Sequence, residues 1–67
     1  MLINLYTEMK KKHLTQKEIA QKLGMNEKTF GAKINGRISF TVDELLELKR
    51  EFFPDSSLEY LAKKVTK

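Results

Sequence analysis

The chain has no cysteine and no tryptophan, and only one proline and one histidine. Without thiols no disulfide can staple the fold, and His13 alone cannot build a structural zinc site. No cofactor and no metal are therefore expected. Long apolar runs are missing as well. The amino-terminal apolar stretch breaks at Asn4, Thr7 and Glu8 before the lysines begin, so neither a transmembrane span nor a signal peptide is expected. Catalytic patterns are equally thin. His13 stands beside a lysine run, no serine has a histidine and an acid nearby in sequence, and there is neither a glycine-rich phosphate loop nor a two-histidine zinc helix. These absences point away from an enzyme, a small-molecule binder and a membrane protein. Together with the missing thiols they fit a cytoplasmic location.

What remains is one small domain. Its 67 residues bury only about 60% of the unfolded surface in a chain of this size. Stability must then come from packing, helix on helix. The net charge of +4 is unevenly spread. Residues 1–42 carry eight bases (Lys10, Lys11, Lys12, Lys17, Lys22, Lys28, Lys33, Arg37) against three acids (Glu8, Glu18, Glu27). Residues 43–59 carry six acids (Asp43, Glu44, Glu47, Glu51, Asp55, Glu59) against Lys49 and Arg50, and Lys63, Lys64 and Lys67 follow. Such segregation suits a protein with one face for a polyanion. Lysines that merely solvate helix faces are the alternative.

The apolar spacing predicts five short helices. Leu2, Leu5, Tyr6 and Met9 mark the first, ending in the run Lys10 to Lys12, whose charges suit the negative end of the helix dipole. Thr15-Gln16-Lys17-Glu18 is a capping box that opens a second helix with Ile19, Ala20 and Leu23 on one side, closed by Gly24. Asn26 is a favoured N-cap for a third helix from Glu27, carrying Phe30 and Ile34 and ending at Asn35-Gly36. Thr41-Val42-Asp43-Glu44 opens a fourth helix through Leu45, Leu46, Leu48 and Phe52, stopped by Pro54. Asp55-Ser56-Ser57 then caps a last stripe of Leu58, Leu61, Ala62 and Val65. Nothing alternates with period two over a useful length. The expectation is an all-α, five-helix domain over residues 1–67 without repeats or linkers.

The second and third helices, joined by Gly24-Met25-Asn26, read as a helix-turn-helix over about 15–36. Ala20 is small where the helices cross, while Ile19, Leu23, Met25 and Phe30 fill the space behind. The third helix is left protruding, and such a helix fits the major groove with its amino-terminal residues toward base edges.

On Leu14-Thr15-Gln16-Lys17-Glu18-Ile19-Ala20, Lys22-Leu23-Gly24 and Asn35-Gly36-Arg37, the chain resembles the lambda-repressor-like, Cro-type (XRE-like) helix-turn-helix family. The stretch Lys33-Ile34-Asn35-Gly36-Arg37 followed by Phe40-Thr41 looks especially like small phage-derived transcriptional regulators of Gram-positive bacteria. The resemblance covers roughly residues 2–62. It implies a lambda-repressor-like fold and a repressor in the cytoplasm of a bacterial host, associated with the nucleoid. One departure stands out: Lys33 occupies a position where many family members are apolar, and Ile34 takes over the apolar role, which implies a rotated end of the third helix.

Position by position, Gln16 resembles the glutamine that grips a phosphate at the start of the second helix. Glu27, Lys28, Thr29, Gly31 and Ala32 fall where family members read bases. Lys28 can donate to guanine O6 or N7, and Glu27 can accept from cytosine N4 or simply stabilise the helix dipole. Thr29 can meet a phosphate or a thymine methyl, or serve the helix backbone. Gly31 and Ala32 form a low spot for DNA, or a packing contact. Lys17, Asn26, Lys33, Asn35 and Arg37 are phosphate candidates, while Lys10, Lys11, Lys12 and His13 decorate the flank.

One recognition helix reads only a few base pairs, so a homodimer on a palindromic operator of double-stranded DNA is expected, with half-site centres about 34 Å apart. Phe52, Phe53, Leu58, Tyr60 and Leu61 in the second half either form the dimer side or close the core. Two alternatives remain open: a helical protein-binding module, such as an antirepressor or a phage-encoded inhibitor, and a DNA-binding recombination accessory protein.

Overall fold

A computed structural model describes residues 1–64, and these form five α-helices with no strand among them: α1 (Ile3–Lys11), α2 (Gln16–Leu23), α3 (Glu27–Ile34), α4 (Val42–Glu51) and α5 (Leu58–Ala62). Each helix starts where the sequence supplies a cap, except α1. Thr15 and Thr41 both close complete capping boxes: Thr15 Oγ1 accepts the Glu18 N–H and Glu18 Oε1 accepts the Thr15 N–H, and Glu44 repeats this with Thr41. Asn26 and Ser57 cap α3 and α5 by accepting the N–H of Thr29 and Tyr60. The backbone hydrogen bond from Thr15, with a second one from its hydroxyl, holds the Glu18 carboxyl below its ordinary range.

Three of the helices end alike. At α2 the Gly24 N–H bonds to Gln21 O and the Met25 N–H to Ala20 O; at α3 the Gly36 N–H bonds to Lys33 O and the Arg37 N–H to Ala32 O. Gly24 and Gly36 have φ of 73° and 88°, the left-handed state that this double closure requires. α1 makes the same closure through His13 N–H to Lys10 O and Leu14 N–H to Met9 O, but with His13 itself at φ 57°. A side chain is thus held where glycine is the ordinary choice.

The core is built from all five helices and the segments beside them. Leu5, Ile19, Phe30, Ile34, Leu48, Phe53 and Leu61 are its largest fully buried side chains, joined by Leu2, Met9 and Ala20. Phe40 packs edge-on to Phe30 with ring centroids 5.7 Å apart. Leu14, Leu23, Met25, Leu45 and Phe52 are half-buried around this centre. α1 packs on α5, α2 on α3 and α4, and α4 on α5. The Leu2 N–H bonds to Ile34 O at 2.8 Å, tying the start of the chain to the end of α3. Asn4 Nδ2 donates to Tyr60 O and the Tyr60 hydroxyl to Glu8 Oε2, which joins α1 to α5.

Two expectations need correction. Leu46, expected on the apolar face of α4, is 42% exposed, because it lies around the helix from Leu45, Leu48 and Phe52, which face inward. Phe53 and Leu61, offered as dimer contacts, are wholly buried. α4 ends at Glu51 with Phe52 as its C-cap, Pro54 bars its continuation, and the chain then folds back through α5, so these two side chains close the core. Val65, expected on the last helical stripe, lies outside the described residues.

Candidate functional site

The turn between α2 and α3 consists of Gly24, Met25 and Asn26 alone. Ala20, 1% exposed, lies where the two helices meet, and Phe30 anchors α3 from beneath. With Phe30, Lys33 and Ile34 turned inward, α3 presents its opposite side outward. There Gln16, Glu27, Lys28, Gly31, Ala32, Asn35 and Arg37 line one shallow concavity of about 550 Å³. Seven positions singled out from sequence are thereby assembled on a single surface. Glu27, Lys28, Asn35 and Arg37 are exposed, and neither Lys28 nor Arg37 makes an ion pair with a described residue.

The contact between Gln16 and Gly31 shapes this surface. A Cβ placed on Gly31 would lie 3.0 Å from Gln16 Oε1. The glycine costs α3 up to about 1 kcal/mol of helix propensity, and the cleared space lets the Gln16 amide lie across the helix. At the start of α2 the capping box consumes the Glu18 N–H, whereas the N–H groups of Gln16 and Lys17 have no partner within the helix. They form a small cluster of donors at the positive end of the helix dipole. Lys17 is exposed beside them.

The remaining sequence candidates are placed differently. Asn26 uses Oδ1 to cap α3, leaving its amide nitrogen free of bonds to described residues. Thr29 is half-buried and donates its N–H to that cap, outside the lining of the concavity.

Lys33 is not on this surface at all. It is 9% exposed, and its ammonium donates to Glu44 Oε1 and Oε2 at 2.6 and 2.7 Å, beneath the ring of Phe40 at 5.8 Å. Spaced three residues from Phe30, it points inward beside Phe30 and Ile34, and its charge is met by the carboxylate that also closes the α4 capping box. The end of α3 is therefore not turned to expose Lys33: both Lys33 and Ile34 are buried. Burial pushes the Glu44 carboxyl up, but hydrogen bonds from Lys33 and Thr41 and the Lys33 charge outweigh it and hold the group below its ordinary range.

The basic run is partly occupied as well. Lys12 donates to Phe52 O at 2.9 Å and lies 5.6 Å from the Phe53 ring, tying the end of α1 to the end of α4. Lys11 pairs with Glu8, and Lys22 with Glu51.

Tyr6, expected on the apolar stripe of α1, also belongs to this region. Tyr6 is half-buried with the Lys10 ammonium 5.2 Å from its ring centre, and the two help line a groove of about 390 Å³ that shares Gln16 and Glu27 with the main concavity. The signal was the i, i+4 spacing of an aromatic and a lysine. Comparison with family models, with curated proteins and with solved structures found no match.

Proposed function

We propose that this chain is a sequence-specific double-stranded DNA-binding transcriptional regulator with a lambda-repressor-like fold, a Cro-like repressor that reads a palindromic operator as a homodimer with α3 in the major groove. The observation that carries this reading is the single surface formed by the exposed side of α3 and the start of α2, where Lys28 and Arg37, without ion-pair partners among the described residues, stand with side chains able to read bases. In this reading the Gln16 amide and the free N–H groups at the start of α2 hold one phosphate, and Arg37 and Asn35 hold the backbone at the far end of α3. Lys28 and Glu27 face base edges, and Gly31 and Ala32 keep that face low enough for the helix to approach. Counterion release drives affinity, and the base contacts discriminate by about 1–3 kcal/mol per bidentate pair. Lys33, its ammonium held by the Glu44 carboxylate, makes no phosphate contact in this reading.

A helical protein-binding module is the second reading. It is favoured by one feature: Glu27 sits exposed in the first turn of α3, with no ion-pair partner among the described residues, on a face that would meet a polyanion. Titration of nonspecific duplex DNA at several salt concentrations separates the two. A steep fall of affinity with salt is expected for the regulator, and a slope near zero sinks it. Selection of bound duplexes from a random pool, repeated with Lys28→Ala, should yield a palindrome that changes at one position per half-site.

A further inference from the structure

The most exposed apolar side chains on any helix of the described chain lie together on α4. Val42 is 68% and Leu46 42% exposed, one helical turn apart, on the side turned away from the core. Two turns beyond Val42, a shallow groove of about 420 Å³ is lined by Leu46, Lys49, Arg50 and Pro54. The Lys49 ammonium is held back from that groove by Pro54 O and Ser56 O at 2.8 and 3.0 Å, leaving its aliphatic stem to form the wall. A projecting valine and a groove of matching character thus stand at opposite ends of one stripe.

We infer that this stripe is a self-complementary interface on which a second copy of the chain docks, α4 against α4 in antiparallel register about Leu46. The inference rests on the homodimer reading above and locates its contact. In that register Val42 of each copy enters the groove of the other, and Leu46 meets its own counterpart. The charges agree with the same register. Asp43 and Arg50 lie on the same flank of the stripe, three residues before and four after Leu46, so a two-fold axis through Leu46 sets each Asp43 within about one residue rise of the opposing Arg50. Among the described residues Arg50 has only a loose contact, 3.6 Å from Glu51, and is 70% exposed. A parallel two-fold would instead set each Asp43 and the opposing Arg50 on opposite edges of the contact, so neither pair forms. The ten residues of α4 extend only about 15 Å. Their contact falls short of the roughly 800 Å² per partner of a standard stable interface, so association is weak off DNA.

Sedimentation equilibrium up to about 1 mM protein tests the interface, with helicity checked by circular dichroism for each variant. Wild-type protein is expected to show concentration-dependent dimerisation, weakened about a hundredfold by Leu46→Lys. Asp43→Arg and Arg50→Asp should each lose about tenfold alone. An equimolar mixture of those two should associate as well as wild type, because only the heterodimer restores both ion pairs. Wild type that stays monomeric, a mixture no stronger than its components, or Leu46→Lys without effect would overturn the interface. Salt-dependent binding of the Leu46→Lys protein to nonspecific duplex reports separately on the DNA reading, which stands or falls without the dimer.

Discussion

The pair Lys33–Glu44 is the sharpest place to test the packing on which the site depends. Its ammonium bonds both carboxylate oxygens, and the two side chains are 10% and 24% exposed. At this separation the attraction at an effective dielectric near 20 is about 6 kcal/mol, set against several kcal/mol for desolvating each ion, so the intact pair adds little net stability. Breaking it is another matter, because a lone charge remains. Glu44→Gln keeps an amide able to serve the α4 capping box, yet strands the more deeply buried ammonium, at an expected cost of about 3 kcal/mol. Lys33→Met leaves a carboxylate that is a quarter exposed and still accepts the Thr41 N–H, so about 1–2 kcal/mol is expected. The double change should return to within about 1 kcal/mol of wild type, a coupling of at least about 3 kcal/mol in the cycle. Urea unfolding followed by circular dichroism at neutral pH measures all four corners. In a domain this small, the Glu44→Gln loss should lower Tm by more than about 10 °C.

The pH dependence gives an independent check. The folded Glu44 carboxyl is held below its ordinary value of 4.5. Its contribution is therefore complete above that value and is lost as pH falls through the lowered folded value. The advantage of wild type over Lys33→Met should accordingly shrink below pH 4.5. Single variants both within about 0.5 kcal/mol of wild type, or strictly additive in the double, would refute the buried-pair account. If Lys33 instead clamps a phosphate, Lys33→Met will lower the salt slope of DNA binding by about 0.9; no change is expected.

Other perturbations probe separate parts of the molecule. His13→Gly relieves a side chain in the left-handed region, and after allowance for the looser unfolded chain it should stabilise the protein by about 0.5–1 kcal/mol, read as a raised Tm. Gly31→Ala should raise helix stability by up to about 1 kcal/mol while displacing the Gln16 amide, so thermal stability rises as DNA affinity falls; unchanged affinity would remove the Gln16–Gly31 contact from the site. Arg37→Ala should reduce the salt slope of duplex binding by about 0.9 without altering the selected sequence, as a backbone contact requires. Thr15→Ala should cost about 1 kcal/mol in denaturant unfolding through loss of the α2 cap.

The helices and their ends were legible in the sequence because their causes are local. Thr15 with Glu18 and Thr41 with Glu44 are reciprocal bonds between residues three apart, and Gly24 and Gly36 answer a backbone torsion at one position. The exposed residues of α3 could be grouped for the same reason: Phe30 and Ile34 set which side turns inward, and the rest of an eight-residue helix follows from its period. Partnership across elements was not legible. Lys33 reads as a surface cation until Glu44 arrives from the next helix, and Lys12 until Phe52 O does. Phe53 and Leu61 read equally as core or contact surface, while Val42 and Leu46 gave no sign that they would be left outside. Composition and local pattern thus determined an all-α chain with a short turn between its second and third helices. Only the tertiary structure decided which charges are spent inside and which apolar side chains remain unpaired, because both depend on neighbours brought together by folding rather than by sequence spacing.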